Sequence, residues 1–328
     1  MSSLSRLQSK NTLHYGSGSG KDKPKFIIPS PPPKRDLEMI HYAMPKCTDT
    51  VVILVFFNPA GSHRIVQNLL YIKQKLEIAH IPFFIGELAY NDAPYVFHPG
   101  TPNIFQFRGG SYMFAKENLI SCVLRRDIVK GYSKYVIMDC DIVFDTPDWI
   151  DGISTALDSY DVVQPFQWAN MLNLKFKSIM IKPSIVLNPV GGHTGYVWAF
   201  RRDWYDRVGG LYEHALIGGG DKCLAHIAGI HLEWNGGVYR SDLPPLGDSS
   251  RTWYLPYTIW HLPHGVIEKR RYVERNETIS RAMSALSISK LRDAVDVGAD
   301  GLFEWKSPFR THLNTVVLNY FKSREDDG

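Results

Sequence analysis

The sequence has few cysteines, no long hydrophobic run and no secretory signal pattern. Its four cysteines are scattered without a Cys-x-x-Cys pair, which excludes a disulfide framework and a zinc knuckle. The longest apolar run, Val51 to Phe57, is far shorter than the roughly 20 residues that cross a bilayer. The polar, serine-rich start of the chain does not look like a signal peptide. We therefore expect a soluble cytoplasmic protein without a transmembrane segment.

An excess of positive charge is present only near the start of the chain. The whole sequence carries a formal charge of +4. Residues 1–50 contain eight Lys or Arg and four Asp or Glu, whereas the remainder contains 29 of each. A nucleic-acid-binding protein usually carries its basic surface on the folded domain. We therefore expect no nucleic-acid partner; the sequence leaves the oligomeric state open.

The composition divides the chain into a tail, a domain and an extension. Residues 1–46 are rich in Gly, Ser and Pro, which cannot bury a core, and they predict a flexible basic tail. Residues 47–290 form the predicted domain. Strand-like and helical patterns alternate to about residue 166 and become irregular from about residue 190, and the alternation predicts an α/β domain with a mostly parallel sheet flanked by helices. Its two halves are predicted at about 47–165 and 166–290. Residues 291–328 form a C-terminal extension.

Local patterns predict the individual elements of the first half. The predicted strands are 51–57, 81–88, 135–138 and 161–166, and the predicted helices begin near Arg64, Ser111 and Pro147. Ligands of open α/β sheets gather beyond the carboxyl ends of the strands. Chemistry is therefore expected in the segments that follow residues 57, 88 and 138.

Two carboxylates, Asp139 and Asp141, stand at one such strand end. Separated by one residue, they repel each other unless a cation or hydrogen-bond donors stabilise them. Mn²⁺ or Mg²⁺ that also holds a diphosphate meets this need. The same pattern resembles the opening motif of haloacid-dehalogenase-type phosphatases, in which Asp139 would be the nucleophile. That family places the motif near the N-terminus, whereas about 90 folded residues precede it here.

Two later segments combine small, aromatic, acidic and basic residues. In the first, Gly195 allows close approach of a ligand to the backbone, and Trp198 offers a flat face to a sugar ring. Asp221 follows three glycines at a predicted helix start, where it serves as an N-cap, as a catalytic base or as both. In the second, His261 and His264 precede a basic cluster. They are either structural histidines or part of a metal and diphosphate site.

Together these segments resemble nucleotide-sugar-dependent glycosyltransferases of the GT-A fold. The likeness covers roughly 51–280 and is closest to galactosyltransferase-like enzymes of bacteria and of large DNA viruses of algae and protists. The blocks that carry it follow in the same order: FFNPAGSHR, IGELAY, FRGGSYMFAKEN, MDCDIVF, GYVWAFRRD, GGLYEHALIGGGD, and HLPHG with RRYVER. The chain departs from the family at Phe114, where a Trp is frequent, and at Lys222, where an acid is frequent. The resemblance implies a Rossmann-like GT-A catalytic domain, a UDP-sugar donor of galactose, glucose, N-acetylhexosamine or xylose type, Mn²⁺ or Mg²⁺ as cofactor, and a glycan or glycoprotein acceptor.

The resemblance also implies a role for each matching position. The donor would be bound by residues from several blocks: Asn58, Arg64, Glu87, Arg108, Lys116, Glu117, Asp139, Lys269 and Arg270. Asp141, His264 and Asp139 would bind the metal. Gly195 and Trp198 would border the acceptor.

An inverting transfer also needs a base, and Asp221 is expected to take the proton of the acceptor hydroxyl. Glu213 and Asp242 are next in line for this role. The metal and basic side chains would stabilise the nucleoside diphosphate that leaves. The phosphatase is one alternative to this interpretation, and a non-catalytic sugar- or nucleotide-binding module is the other.

Overall fold

The computed structural model describes residues 37–234, 236, 239–247, 250–265 and 272–327. These residues belong to one compact unit. Residues 1–36 of the predicted tail and the predicted diphosphate ligands Lys269 and Arg270 lie outside the described residues. Within the described residues, no helix is both long enough and apolar enough to cross a membrane.

A seven-stranded sheet forms the centre of the structure. Its strands in spatial order are β10 (Thr252–Tyr254), β6 (Val162–Gln164), β9 (Val197–Arg201), β4 (Lys134–Met138), β1 (Thr50–Phe57), β2 (Phe83–Tyr90) and β3 (Ile104–Gly109). Strand β9 runs antiparallel to both of its neighbours, and the other pairs are parallel. The predicted α/β class with a mostly parallel sheet is confirmed.

Helices cover both faces of this sheet. The helices are α1 (His63–Ile78), α2 (Lys116–Leu124), α3 (Asp127–Lys130), α4 (Trp149–Leu157), α5 (Arg202–Arg207), α6 (Gly220–Ile227), α7 (Tyr272–Ala285) and α8 (Ser307–Ser323). In β1, Val51 and Ile53 join the core beneath α2, α6, α7 and α8, whereas Val52 and Leu54 join the core beneath α1 and α4. Burial on both faces explains why β1 is a continuous apolar run.

A second sheet has four strands, all of which follow β4 in the sequence. Its strands in spatial order are β5 (Ile142–Phe144), β11 (Thr258–His261), β7 (Trp168–Leu172) and β8 (Ser178–Pro183). The antiparallel pairing of β5 with β11 sets Ile142 opposite His261. This register brings the segment of Asp139 and Asp141, called the Asp-x-Asp segment below, next to the segment of His261 and His264. Near the end of the chain, β12 (Val295–Val297) and β13 (Phe303–Trp305) form a hairpin.

Both predicted boundaries of the domain differ from the structure. Ile40 is buried, and the Tyr42 hydroxyl accepts a hydrogen bond from the Phe144 backbone at 3.0 Å, so residues 40–46 pack on the domain instead of belonging to the tail. In the predicted extension, Leu313 and Val317 of α8 are fully buried in the core beside the sheet. The extension is therefore part of the same unit.

The helix predicted from Ser111 begins later, at Lys116. Ser111 does not cap it. Instead its hydroxyl donates to the Glu304 carboxylate and accepts from the Trp305 backbone N–H at 2.8 Å. This pairing ties the segment before α2 to β13.

Candidate active site

The carboxyl ends of β1 and β4 meet where the order of the strands reverses. From β1 the chain runs outward through β2 and β3, and then returns to place β4 on the other side of β1. Such a switch point is the usual ligand site of an open α/β sheet. A cavity of about 740 Å³ lies there, and Asn58, Asp139 and Asp141 line it. This volume is in the range of small-molecule sites.

Asp141 and two histidines form a cluster in the wall of this cavity. The Asp141 Oδ2 atom is 3.0 Å from His264 Nε2 and 3.5 Å from His261 Nε2. One ligand atom from each residue lies within 4.8 Å of the others. The Leu262 N–H donates to the Asp141 carbonyl at 2.8 Å, which fixes the two segments against each other. One carboxylate and two imidazoles are a suitable donor set for a divalent transition-metal ion.

A further carboxylate, that of Asp326, contacts the other ring nitrogen of His264 and orients the ring. The Asp326 Oδ1 atom is 3.1 Å from His264 Nδ1, and Asp326 is 5% exposed. The Arg324 guanidinium lies 3.1 Å from the same oxygen. A carboxylate in this position favours the tautomer with the proton on Nδ1, which would leave the Nε2 lone pair for a metal ion on the side of Asp141. The segment 324–327 thus shapes a ligand that lies 62 residues earlier in the chain.

Lys116 links two carboxylates on another part of the cavity wall. Its Nζ atom is 2.6 Å from Asp139 Oδ1 and 2.9 Å from Asp221 Oδ1. Burial lowers the pKa of Lys116, but the Asp139 and Asp221 carboxylates outweigh it and raise that pKa well above the usual value. Burial raises the pKa of Asp139 to about 6, with Lys116 opposing this shift. The lysine is therefore a cation held between two acids.

Asp221 is the second residue of α6, and its side chain does not cap the helix. The N-cap is Gly219, whose φ of 91° lies in the left-handed region that glycine tolerates. The next position also demands glycine, because a Cβ atom on Gly220 would lie 2.0 Å from the Glu117 carboxyl carbon. Burial raises the pKa of Glu117 to about 8. Gly219 and Gly220 therefore allow α6 to begin next to Glu117 in the cavity wall.

Gly195 lies next to the second carboxylate oxygen of Asp221. A Cβ atom on Gly195 would stand 2.8 Å from Asp221 Oδ2 and 3.2 Å from His193 Cε1. The Gly195 N–H donates to His193 Nδ1 at 3.0 Å. The absence of a side chain thus keeps space beside the Asp221 oxygen that does not contact Lys116.

The structure brings most of the predicted site residues into this one cavity. Those that line it are Asn58, Lys116, Glu117, Asp139, Asp141, Gly195, Asp221 and His264. Arg64 lies at the start of α1, one residue before Ile65 in the wall. The two other candidates for the base make ion pairs instead: Glu213 pairs with Arg125, and Asp242 pairs with Arg292.

Trp198 is a core residue, and the prediction that it borders the acceptor is wrong. It is 1% exposed, and its indole N–H donates to the Thr194 carbonyl at 2.8 Å. It lies in β9, between β4 and β6, and the residues of this strand join buried clusters on both faces of the sheet. The indole therefore has no face to offer a sugar ring.

Glu87 and Arg108 lie outside the described cavity wall, and their predicted donor-binding roles stay predictions. Glu87 is 1% exposed and accepts from the Val96 backbone and from Gln106 Nε2, the latter at 3.1 Å. Arg108 donates to the carbonyls of Asn91 and Ala93. Both side chains hold the loop between β2 and β3, and neither belongs to the cavity wall.

Part of the wall comes from the end of the chain, which sequence reasoning did not include in the site. Tyr320, Phe321, Arg324 and Asp326 all line the cavity. Asp327 next to them caps α1, accepting from Ser62 Oγ at 2.7 Å and from the Arg64 backbone N–H at 2.8 Å. No local pattern marks these residues, because their roles come from contacts with distant segments.

Comparisons with known proteins found distant structural likeness only. No protein-family model matches the chain, and no curated protein does. The catalytic domain of Drosophila β1,4-galactosyltransferase 7 is 12% identical, with 54% of this chain and 59% of that chain covered and a TM-score of 0.31. A glycosyltransferase involved in glycosylation of the major capsid of PBCV-1 is 11% identical, with 71% and 100% covered and a TM-score of 0.29.

A third solved structure is an enzyme of another kind. The 4-diphosphocytidyl-2C-methyl-D-erythritol synthase of Anaerococcus prevotii is 8% identical, with 71% of this chain and 96% of that chain covered and a TM-score of 0.32. This chain spans about three-fifths of the length of the galactosyltransferase structure. Likeness at such low TM-scores does not decide what this chain does.

Proposed function

We propose that the protein is a metal-dependent glycosyltransferase of GT-A type that uses a nucleotide sugar. The observation that carries this proposal is the meeting of two groups in one switch-point cavity. One group is the Asp141, His261 and His264 donor set, and the other is Asp221 held by Lys116. Metal-assisted departure of a diphosphate and removal of a hydroxyl proton need these two groups.

The donor set favours Mn²⁺ over Mg²⁺. Two of the three candidate ligands are imidazoles, which suit transition metals, whereas Mg²⁺ prefers oxygen ligands. Asp141, His261 and His264 would hold the ion, with Asp326 fixing the tautomer of His264. The bound ion would supply charge stabilisation for the departing diphosphate.

Asp221 is the proposed base of an inverting transfer. Lys116 fixes one of its oxygens, and the other faces the space that Gly195 keeps open. An acceptor hydroxyl in that space would donate its proton to Oδ2. Asp139, on the same lysine, would orient the donor sugar or ribose from the end of β4.

The finer assignments rest on the sequence resemblance. They are a UDP-linked galactose, glucose, N-acetylhexosamine or xylose as donor, a glycan or glycoprotein as acceptor, and a cytoplasmic location. Lys269 and Arg270 remain the proposed diphosphate contacts, and Asn58 and Arg64 the proposed contacts near the base. In this proposal the chain acts as one catalytic domain preceded by its basic tail.

One contact bears on the phosphatase alternative. A haloacid-dehalogenase-like enzyme would need a lysine later in the chain than its aspartate nucleophile; Lys116 lies 2.6 Å from Asp139 but precedes it in sequence. In that mechanism Asp141 would act on the leaving group, but here its carboxylate contacts two imidazoles. This arrangement suits a metal ligand better than a general acid.

A single assay separates the possibilities. The protein is incubated with a panel of nucleotide sugars and Mn²⁺, and release of nucleoside diphosphate is followed for wild type, Asp141→Asn and the exposed control Asp127→Asn. A glycosyltransferase releases diphosphate slowly without acceptor, and only Asp141→Asn loses this activity. Release of inorganic phosphate from sugar phosphates, lost in Asp139→Asn, would identify a phosphatase. Binding without turnover would identify a non-catalytic module.

A further inference from the structure

The hairpin formed by β7 and β8 exposes large apolar side chains. Phe176 is 56% exposed, Ile179 is 50% exposed and Ile181 is 39% exposed. Ile179 and Ile181 are two residues apart on β8, so they share one face of the strand. β8 is also the edge of the four-stranded sheet in the described structure. Exposed apolar residues that cluster on a protein surface often mark an interaction site.

The tip of this hairpin is firmly held. Asn173 Oδ1 accepts from the backbone N–H groups of Lys175 and Lys177, each at 3.0 Å. The Phe176 N–H donates to the Asn173 carbonyl at 2.8 Å. Phe176 has a φ of 54°, in the left-handed region where a bulky side chain is strained and Gly or Asn is favoured. The turn thus holds an aromatic ring in solvent at an energetic cost, which points to a function for the ring.

The stretch of sequence that contains the hairpin is basic. Between Asp161 and Asp203 the sequence contains no Asp or Glu. Lys175 and Lys177, on either side of Phe176, are both exposed. We define the hairpin patch by these members: Lys175, Phe176, Lys177, Ile179 and Ile181. It combines an apolar surface that can enter a lipid interface with cations that meet lipid head groups.

We propose that the hairpin patch docks the protein on an anionic lipid bilayer. Aromatic and aliphatic side chains enter the boundary between head groups and acyl chains, and flanking lysines are attracted by the negative surface. A second copy of the chain fits the patch less well. Antiparallel pairing of two β8 edges would set Lys175 and Lys177 of each copy opposite about residues 184–186 of the other, a stretch that contains no acid to pair with them.

Docking would also set the position of the cavity. β8 ends at Pro183, and the chain continues directly into Ile185, Gly192 and Thr194, which line the cavity. The acceptor side of the proposed site is thus tied to the membrane-facing hairpin by a short connection. This inference concerns where the protein works, and it does not depend on the chemistry of the site.

The test is flotation of the full chain with vesicles of phosphatidylcholine alone or mixed with phosphatidylglycerol. We expect binding to the mixed vesicles only, weakened by high salt. Lys175→Gln and Lys177→Gln should each reduce the partition coefficient about fivefold, since each lysine near an anionic surface contributes about that factor. Phe176→Ser should reduce it at least as much. The matched controls Ile78→Ser and Lys130→Gln alter exposed residues in α1 and α3 and should leave it unchanged.

Three results would overturn the proposal. They are failure to bind mixed vesicles at low salt, equal binding to neutral vesicles, and equal losses in the control variants. A fourth contradicting result could come from light scattering. If the wild type is a dimer and Phe176→Ser is a monomer, the hairpin patch is a self-association surface. Thermal melting of each variant verifies that the fold is kept. Release of nucleoside diphosphate should be unaffected by Phe176→Ser, so that failure of docking and failure of the proposed activity are distinguishable.

Discussion

Replacing Asp326 by Asn tests whether a residue far from the Asp-x-Asp segment governs metal binding. Asp326 Oδ1 lies 3.1 Å from His264 Nδ1, while His264 Nε2 lies 3.0 Å from Asp141. An asparagine keeps the shape, but its NH₂ group can donate to Nδ1 and so stabilise the opposite tautomer, with the proton on Nε2. Removal of such a partner behind a ligating histidine reduces metal affinity by about 10- to 100-fold. Asp326→Asn should fall in this range, and Asp326→Ala near its upper end.

The measurement is a titration of the full chain with Mn²⁺, followed by the loss of the free-ion electron paramagnetic resonance signal. Asp327→Asn is the matched control, because this neighbouring carboxylate caps α1 through Ser62 and Arg64 instead of contacting a histidine. The control loses a negative charge at the N-terminus of α1 and should therefore lose only about 0.5 kcal/mol of unfolding free energy, with unchanged Mn²⁺ affinity.

The reasoning fails under either of two results. If Asp326→Asn binds Mn²⁺ as tightly as wild type, the carboxylate is merely structural. If both variants lose the same affinity, the effect comes from general loosening of the segment 324–327. A selective loss in Asp326→Asn with normal melting would support the positioning role.

Three further predictions follow from the same structure. Asp221→Asn should keep donor affinity within a few-fold, measured by calorimetry, and reduce transfer by about 10²-fold or more; near-normal transfer would rule Asp221 out as the base. Glu117 has its pKa raised to about 8, so the folded protein binds this proton while the unfolded chain releases it above about pH 4.5. The free energy of unfolding of the wild type should therefore fall relative to that of Glu117→Gln as the pH rises from about 5 to about 8 in the presence of a metal chelator. The same difference in melting temperature between the two proteins at both of these pH values would contradict this. Asp161 is buried with Arg201 at 2.6 Å. Although burial raises its pKa, the Arg251 N–H and the arginine side chains hold it below the usual value. Asp161→Asn should cost about 3 kcal/mol at pH 7, and the difference from wild type should shrink as the pH falls below about 4 in urea titrations.

Sequence reasoning succeeded where local pattern and strand geometry decide the outcome. The apolar run 51–57 is β1, observed as Thr50–Phe57, since a strand buried on both faces must be apolar throughout. The predicted strand 135–138 is β4, observed as Lys134–Met138. Parallel strands bring their carboxyl ends to one edge, and so the positions of Asn58, Asp139 and Asp141 at the cavity could be inferred without knowledge of the partners.

The errors arose where distant segments decide the role of a side chain. The run around Trp198 is typical of either a core strand or an exposed aromatic site, and the residues packed over that face of the sheet bury the indole. Asp326 contacts a histidine 62 residues away, and no local pattern can signal such a pairing. Ile40 and Tyr42 are isolated apolar residues beside a polar tail, so their burial depends on grooves that other elements form.

The place of β9 has a consequence for the order in which the chain can fold during synthesis. Among the described strands, β6 precedes β9 in sequence and pairs with β9 and β10, whereas β4 pairs with β1 and β9. Until residues 197–201 leave the ribosome, β6 has no strand to join and the far edge of β4 stays open. That edge includes Val136 and Ile137, which are buried in the finished protein. Fragments that stop short of β9 should therefore aggregate or recruit chaperones, because an unpaired apolar edge is a template for pairing with other chains.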